Sequence, residues 1–167
     1  MRVDNIIYMK RDNLDNIDIK ILSLLQENGR ITNVDLADRV DLSAPPCLRR
    51  VRSLEKNGFI KGYHADLQPK KLGFEVTVFA MVGLHNQAEP DLKSFEDRVL
   101  SLPYVRECHM LNGEIDFILK CVAPDLSAFQ SFLTKELTSA PNVASVKTSL
   151  TIRQSKQMPG IPIDLMD

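Results

Sequence analysis

The segment from Leu42 to Tyr63, "LSAPPCLRRVRSLEKNGFIKGY", concentrates cations of the kind that bind nucleic acid. Between Ser43 and Asn57 it carries four Lys or Arg residues and one Glu, although the whole chain has a net charge of −1. Arginine can donate two parallel hydrogen bonds to a guanine edge, and both cations contact phosphates. The local charge therefore predicts DNA contact, and a solvated charged face is the alternative. The predicted contacts are Thr32, Asn33, Ser43, Pro45, Pro46, Arg49, Arg50, Arg52, Lys56 and Lys61.

Metal or thiol chemistry is not predicted. Cys108 and His109 are neighbours on a predicted strand, where successive side chains point to opposite faces. No C-x-x-C or H-E-x-x-H spacing occurs in the chain, so we expect neither a metal site nor a cofactor. Three unpaired cysteines, a polar N-terminus and the lack of an apolar run of about 20 residues predict a cytoplasmic protein with no membrane partner.

The elements that position the cationic segment are three predicted helices. Asp15 and Asp18 suit the start of the first helix, and Thr32 with Asp35 suits the start of the second. The third helix begins after Ser43 with two prolines in its first turn, where missing N–H groups cost little. Helical spacing places Cys47, Leu48, Val51 and Leu54 on its core face and Pro45, Pro46, Arg49, Arg52 and Lys56 on the opposite face. Arg50 lies at the flank, where it either contacts DNA or pairs with an acid.

A strand, "FIKGYHADL", is predicted directly after the third helix. Helix, helix, turn, helix and a short strand pair form a winged helix-turn-helix. Beyond a polar linker the remaining elements alternate as β-α-β-β-α-β, the ferredoxin-like order, so the predicted fold class is α+β. The predicted divisions are an arm over 1–13, the winged helix-turn-helix over 14–66, the linker over 67–74, the βαββαβ domain over 75–152 and a tail over 153–167.

The first strand of the second domain, "EVTVFAMVGL", is apolar on both faces, which predicts a cover on each side of its sheet. Helices cover one face of such a sheet, and a second copy of the chain is the simplest cover for the other. The tail after Arg153 is polar and contains prolines. Its sequence is compatible with an extended packed strand and with a mobile segment.

Three stretches together resemble the Lrp/AsnC (leucine-responsive, feast/famine) family of transcription regulators: "LDNIDIKILSLLQENGRITNVDLADRV", "LSAPPCLRRVRSLEKNGFIKGYHADL" and "VRECHMLNGEIDFIL". The resemblance implies a cytoplasmic, nucleoid-associated regulator that binds double-stranded DNA as a homodimer or octamer and responds to an amino acid. It also implies an effector site between dimers, near the glycine-containing turn before the third strand of the second domain. By the resemblance, the effector-site residues are Met110, Asn112, Gly113, Glu114, Asp116, Leu126, Thr138, Ser149, Leu150 and Thr151.

Two alternatives accompany these expectations. Asp116 lies in a mostly apolar strand, where it either accepts a ligand ammonium group or acts structurally by bonding backbone N–H groups. The second alternative is an enzyme, because a related group with this architecture decarboxylates a tetrapyrrole in haem synthesis with His and Arg in the second domain. Arg106 and His109 are the candidates for that role. Such enzymes have no need of a cationic third helix, so a regulator without enzymatic activity is expected.

Overall fold

The computed structural model describes residues 14–158 and 160–163. They form two compact units, one made of residues 14–66 together with 156–158 and 160–163, and the other of residues 67–155. The predicted N-terminal arm, 1–13, lies outside the described residues. No helix among the described residues is long and apolar enough to cross a membrane.

The first unit contains three helices: α1 (Asn16–Glu27), α2 (Asn33–Arg39) and α3 (Ala44–Lys56). The predicted start of α1 is confirmed, because Asp15 and Asp18 form a capping box in which each carboxylate accepts from the other residue's backbone N–H. The helices enclose a core formed by Ile21, Leu36, Ala37, Val40, Cys47 and Leu54.

The prediction for Leu48 is wrong, since its side chain is 37% exposed instead of sharing the core face of α3. Leu48 sits directly after Cys47, which occupies the centre of the buried arc and is fully enclosed. A step of about 100° along a helix carries the next side chain to the rim of that arc.

The strand predicted after α3 does not form. Residues 60–68 have no regular secondary structure in the single chain. Phe59 and Ile60 pack against the core of the first unit, whereas the side chains from Lys61 to Leu67 are exposed. A strand requires hydrogen bonds to a neighbouring strand, and no partner strand lies in this unit among the described residues. We call residues 59–66 the wing segment.

The second unit follows the predicted βαββαβ order. Its elements are a 3₁₀ turn (Pro69–Leu72), β1 (Val76–Leu84), α4 (Glu89–Leu100), β2 (Val105–Met110), β3 (Phe117–Ala123), α5 (Leu126–Phe132) with a π turn (Leu133–Leu137), and β4 (Val143–Leu150). The four strands form one antiparallel sheet in the order β2-β3-β1-β4. On one face of this sheet α4 contacts β2 and α5 contacts β3.

One face of the sheet forms the core of the second unit, with Val78, Ala80 and Val82 of β1 buried. The register places Phe79 opposite Lys120 on β3 and Ser149 on β4, so these three side chains share the other face. Phe79 is 37% exposed on that face, which we call the open face. No element among residues 14–158 and 160–163 covers its apolar centre, for which the sequence predicts a cover.

Candidate nucleic-acid interface and effector site

Three cations of α3 form the exposed face that the sequence predicts. Arg49, Arg52 and Lys56 are exposed and make no ion pair within the described residues. Pro45 is exposed beside them, and Pro46 is half-buried. Guanidinium groups without an internal partner keep their donors free for an acceptor outside the chain. This face, formed by Pro45, Arg49, Arg52 and Lys56, is called the cationic face.

The N-terminus of α3 carries few backbone donors. Ser43 is the N-cap, but its side chain makes no capping hydrogen bond. Pro45 and Pro46 lack N–H groups, and the N–H of Cys47 already donates to the carbonyl oxygen of Ser43. The N–H of Ala44 and the Ser43 hydroxyl are therefore the donors left at this helix end, fewer than a proline-free helix offers an anion.

Arg50 is turned away from the cationic face, which corrects its prediction as a DNA contact. Its Nη1 lies 2.8 Å from Asp15 Oδ2 and 2.8 Å from Asp18 Oδ1, so the guanidinium ties α3 to the start of α1. The hydrogen bond to Asp18 and then that to Asp15 raise the pKa of Arg50. The pKa of Asp15 is lowered, mainly by the backbone N–H of Asp18 and also by Arg50. Of the two possibilities for Arg50 at the flank of the helix, a DNA contact or pairing with an acid, the single chain shows the acid pairing.

Thr32 and Asn33 are both engaged inside the first unit. The Thr32 hydroxyl accepts from the N–H of Asp35 at 3.1 Å and donates to its carboxylate at 2.6 Å, so capping α2 accounts for this residue. The Asn33 side-chain amide donates to the carbonyl oxygen of Ala44 at 2.9 Å. Asn33 thus fixes the start of α3 with one of its two amide hydrogens, and its Oδ1 is buried with no partner among the described residues. A contact from the second amide hydrogen of Asn33 to phosphate stays a prediction.

Lys61 is exposed in the wing segment, as a phosphate contact requires. The residue that holds this segment was missed by the sequence reasoning. The Tyr63 hydroxyl donates to Glu55 Oε1 of α3 at 3.0 Å. Although the residue is 45% exposed, partial desolvation of the hydroxyl together with Glu55 raises the pKa of Tyr63 to about 12. A tyrosine eight residues after a glutamate gives no periodic signal, because the two lie in different elements.

The residues predicted for the effector site fall into two groups at opposite ends of the sheet. Met110 pairs with Phe117 at the β2–β3 turn, whereas Leu150 pairs with Val78 at the far end of β1. Four residues along β1 and three strand spacings separate these positions, about 13 Å by about 14 Å, or roughly 19 Å in all. The first group contains Met110, Asn112, Gly113, Glu114 and Asp116, and the second contains Ser149, Leu150 and Thr151. Leu126 begins α5, and Thr138 follows the π turn after it.

The exposure of the two groups differs from residue to residue. Met110 is 60% exposed, Leu126 48% and Leu150 51%, which leaves apolar surface at both ends of the sheet. The Thr138 hydroxyl donates to carbonyl oxygens of its own helix, so it is already engaged. The Thr151 hydroxyl oxygen is buried without a partner. One chain does not bring these residues together.

Asp116 is the one buried charged residue in the described part of the chain. Its Oδ2 accepts from the backbone N–H of Leu84 at 2.6 Å. Its own N–H donates to the carbonyl oxygen of Val82, and its carbonyl oxygen accepts from Leu111. The carboxylate thus extends the β1–β3 pairing past the last strand residue. This contact is of the structural kind considered for Asp116, in which the acid bonds a backbone N–H group.

The two units match two family models. Residues 14–61 match a winged helix-turn-helix DNA-binding domain, and residues 77–161 match the Lrp/AsnC ligand binding domain. The chain is 56% identical over 146 residues to a leucine-responsive regulatory protein of Rhizobium meliloti strain 1021, covering 87% of this chain and 94% of that protein. It is 42% identical over 140 residues to the Bkd operon transcriptional regulator of Pseudomonas aeruginosa strain PAO1, covering 84% and 92%.

The fold is also similar to that of a transcriptional regulator from Neisseria meningitidis solved in complex with L-Met. The TM-score is 0.87 at 36% identity, and the match covers 92% of this chain and 99% of the other. The fold and the matched domains define a transcription regulator that joins a DNA-binding unit to a ligand-binding unit. The chain belongs to the Lrp/AsnC family.

Proposed function

We propose that this regulator reads DNA with the cationic face of α3 and responds to an amino acid bound between copies of its second unit. The observation that supports the DNA contact is a set of exposed cations with no ion pair in the described part of the chain, next to an arginine of the same helix that has two. Arg49 and Arg52 contact base edges, Pro45 and Pro46 approach the groove, and Lys56, Lys61 and Ser43 contact phosphates. A cytoplasmic location follows from this role.

The proposed assembly is a dimer that buries the open face of each sheet. The apolar centre of that face, formed by Phe79, Met81, Ile118 and Val122, is flanked by polar residues on the edge strands. Burying apolar surface against a second copy removes it from water at about 25 cal/mol per Å². A two-fold dimer then presents two α3 helices to successive major grooves, about 34–36 Å apart.

The proposed effector is an amino acid, as in the L-Met complex of the Neisseria relative. Because the two groups of candidate residues lie at opposite ends of the sheet, a site that uses both draws them from different chains. Asp116 contributes by holding the end of β1 at Leu84, which is next to the turn of Asn112 and Glu114. Ligand binding at such a junction shifts the balance between assemblies.

A regulator accounts for the chain better than the tetrapyrrole decarboxylase. The unpaired cations of α3 have a role in DNA binding and none in that chemistry. His109, the candidate catalytic residue, has its Nε2 3.6 Å from the Glu107 carboxylate on the open face of the sheet. The proposed dimer buries that face, so the histidine there is an interface residue and not a catalytic one.

The experiment that tests DNA reading compares two double variants. Arg49→Ala/Arg52→Ala removes two cations from α3, and Arg30→Ala/Arg39→Ala removes two exposed cations from elsewhere in the first unit. Operator fragments are selected with the wild-type protein, and binding is measured over a range of salt concentrations. We expect the α3 variant to lose about 1–3 kcal/mol per arginine in specific binding. The control keeps its sequence preference.

Sedimentation velocity checks that both double variants retain the wild-type assembly, because neither pair belongs to the core. Equal losses of specific binding in the two variants would show that net charge, and not the cationic face, determines recognition. Unchanged operator binding in the α3 variant would refute the proposed reading face.

A further inference from the structure

A cavity of about 600 Å³ lies in the first unit, and the C-terminal tail forms one of its walls. The other walls come from α1, through Leu22 and Leu25, and from the wing segment, through Phe59 and Ile60. Ile163 of the tail enters this apolar surface and is only 5% exposed. The DNA-binding unit therefore has a groove in which the end of the described chain is seated.

Gln26 of α1 recognises the tail backbone with both ends of its side-chain amide. Its Nε2 donates to the carbonyl oxygen of Ile161 at 2.8 Å, and the N–H of Ile161 donates to its Oε1 at 2.9 Å. A carboxamide that pairs with the N–H and the C=O of one residue replaces the hydrogen bonds of a neighbouring strand. The tail is thus held by backbone recognition at Ile161 and by an apolar anchor at Ile163.

Two features of Gly160 favour glycine at this contact. Its φ is +65°, a backbone conformation that favours glycine. A Cβ at this position would also collide with the side chain of Gln26, at Oε1, Cδ and Cγ. An added Cβ would displace the end of the Gln26 side chain and so break its two hydrogen bonds to Ile161, which links this glycine to the docked tail.

We propose that this groove is a peptide-binding site whose ligand is the chain's own C-terminal tail. The tail follows β4 through residues 151–155, so a docked tail connects the two units a second time, in addition to the linker that begins at Leu67. Release of the tail leaves the linker as the single connection. Docking requires no DNA and no effector, so its test is separate from that of the proposed function.

The first test measures hydrogen exchange at the amides of Ile161 and Ile163 in the full-length protein. Gly160→Ala introduces both backbone strain and the collision with Gln26, whereas Gly73→Ala, at φ +80° with nothing within 4 Å of a Cβ, introduces strain alone. We expect Gly160→Ala to accelerate exchange at both amides by about tenfold or more, and Gly73→Ala to leave it unchanged. Unchanged exchange in Gly160→Ala, or equal acceleration in the control, would overturn the proposal.

The second test supplies the ligand in trans. A fluorescent peptide with the sequence of residues 156–167 is titrated with full-length wild type and with full-length Gly160→Ala. In the wild type the tethered tail competes at the high effective concentration of a linked segment, so the peptide binds weakly. In the Gly160→Ala variant the tethered tail should leave the groove. This variant should therefore bind the peptide at least about tenfold more tightly than wild type. Addition of Gln26→Ala to that variant should abolish the gain.

Peptide binding that is equal in wild type and Gly160→Ala would refute the groove as the tail's site. Retention of tight binding after Gln26→Ala would refute the backbone recognition. Exchange protection in the wild type that decreases on dilution would show that the tail comes from a second copy, against our assignment to the same chain.

Discussion

Arg49 and Arg50 are adjacent cations of α3, and we expect their removal to have opposite consequences. Arg50→Ala breaks ion pairs at 2.8 Å with two carboxylates, one of which, Asp18, is only 13% exposed. A hydrogen bond to a charged group contributes about 1.5–3 kcal/mol. Because the Arg50 and Asp15 side chains are 33% and 51% exposed, solvent screening lowers the expected loss of stability to about 1–2 kcal/mol.

Arg49→Ala removes the same charge one residue earlier, from a side chain with no ion pair to any residue that the structure describes. It should leave the free energy of unfolding within about 0.5 kcal/mol of wild type, as surface substitutions do. Its operator affinity should decrease by about 1–3 kcal/mol, whereas Arg50→Ala retains operator affinity within about threefold at physiological salt, where distant charges are screened. Urea unfolding and operator titrations, at a temperature where both variants are folded, provide the two numbers.

The reasoning fails if both variants lose the same DNA affinity and neither loses stability. In that case the guanidinium of Arg50 leaves its acids to bind DNA. A reversed result, with Arg49 needed for stability and Arg50 for DNA, would show that the helix is rotated from the orientation described.

Three further predictions concern single groups. Asp116→Ala should destabilise the second unit by about 1–3 kcal/mol, because the buried N–H of Leu84 loses its acceptor. Asp116→Asn should recover part of that loss, because its side-chain oxygen can accept the same hydrogen bond. Urea unfolding measures both variants. The pKa of Asp15 is lowered on folding, so the Asp15 carboxylate stabilises the fold above pH about 4, and this stabilisation is lost as the pH falls further. The free energy of unfolding, measured at pH 3 and pH 6, should therefore differ less in Arg50→Ala than in wild type. Burial raises the pKa of Cys121 to about 11, so a thiol reagent at pH 8 should modify Cys121 only as fast as the protein unfolds. Fast modification of Cys121 in the native protein would contradict this prediction and show that the sheet opens.

Local features of the first unit could be predicted from the sequence. The capping box of α1 depends on two acids three residues apart, and the proline-opened start of α3 depends on adjacent residues. The exposure of Arg49 and Arg52 follows from helical spacing alone. These features are visible because their cause and effect lie within one turn of helix.

The remaining contacts join residues that are far apart in the chain. Arg50 meets Asp18 across 32 residues, Asp116 meets Leu84 across 32, and Gln26 meets Ile161 across 135. No periodicity encodes such a pairing, so the sequence leaves two alternatives open for Arg50, for Asp116 and for the tail. The strand predicted in the wing segment is wrong for a related reason, because an extended stretch becomes a strand only when a neighbour supplies its hydrogen bonds.

The separation of Met110 from Leu150 has a thermodynamic consequence for small molecules. If the effector contacts residues from both ends of the sheet, it contacts two protomers and links them. Assembly and effector binding are then coupled. The apparent dissociation constant of the effector then decreases as the protein becomes more abundant. The intracellular amount of the regulator would set its own sensitivity, so a cell could retune the response without altering a single ligand-contacting residue.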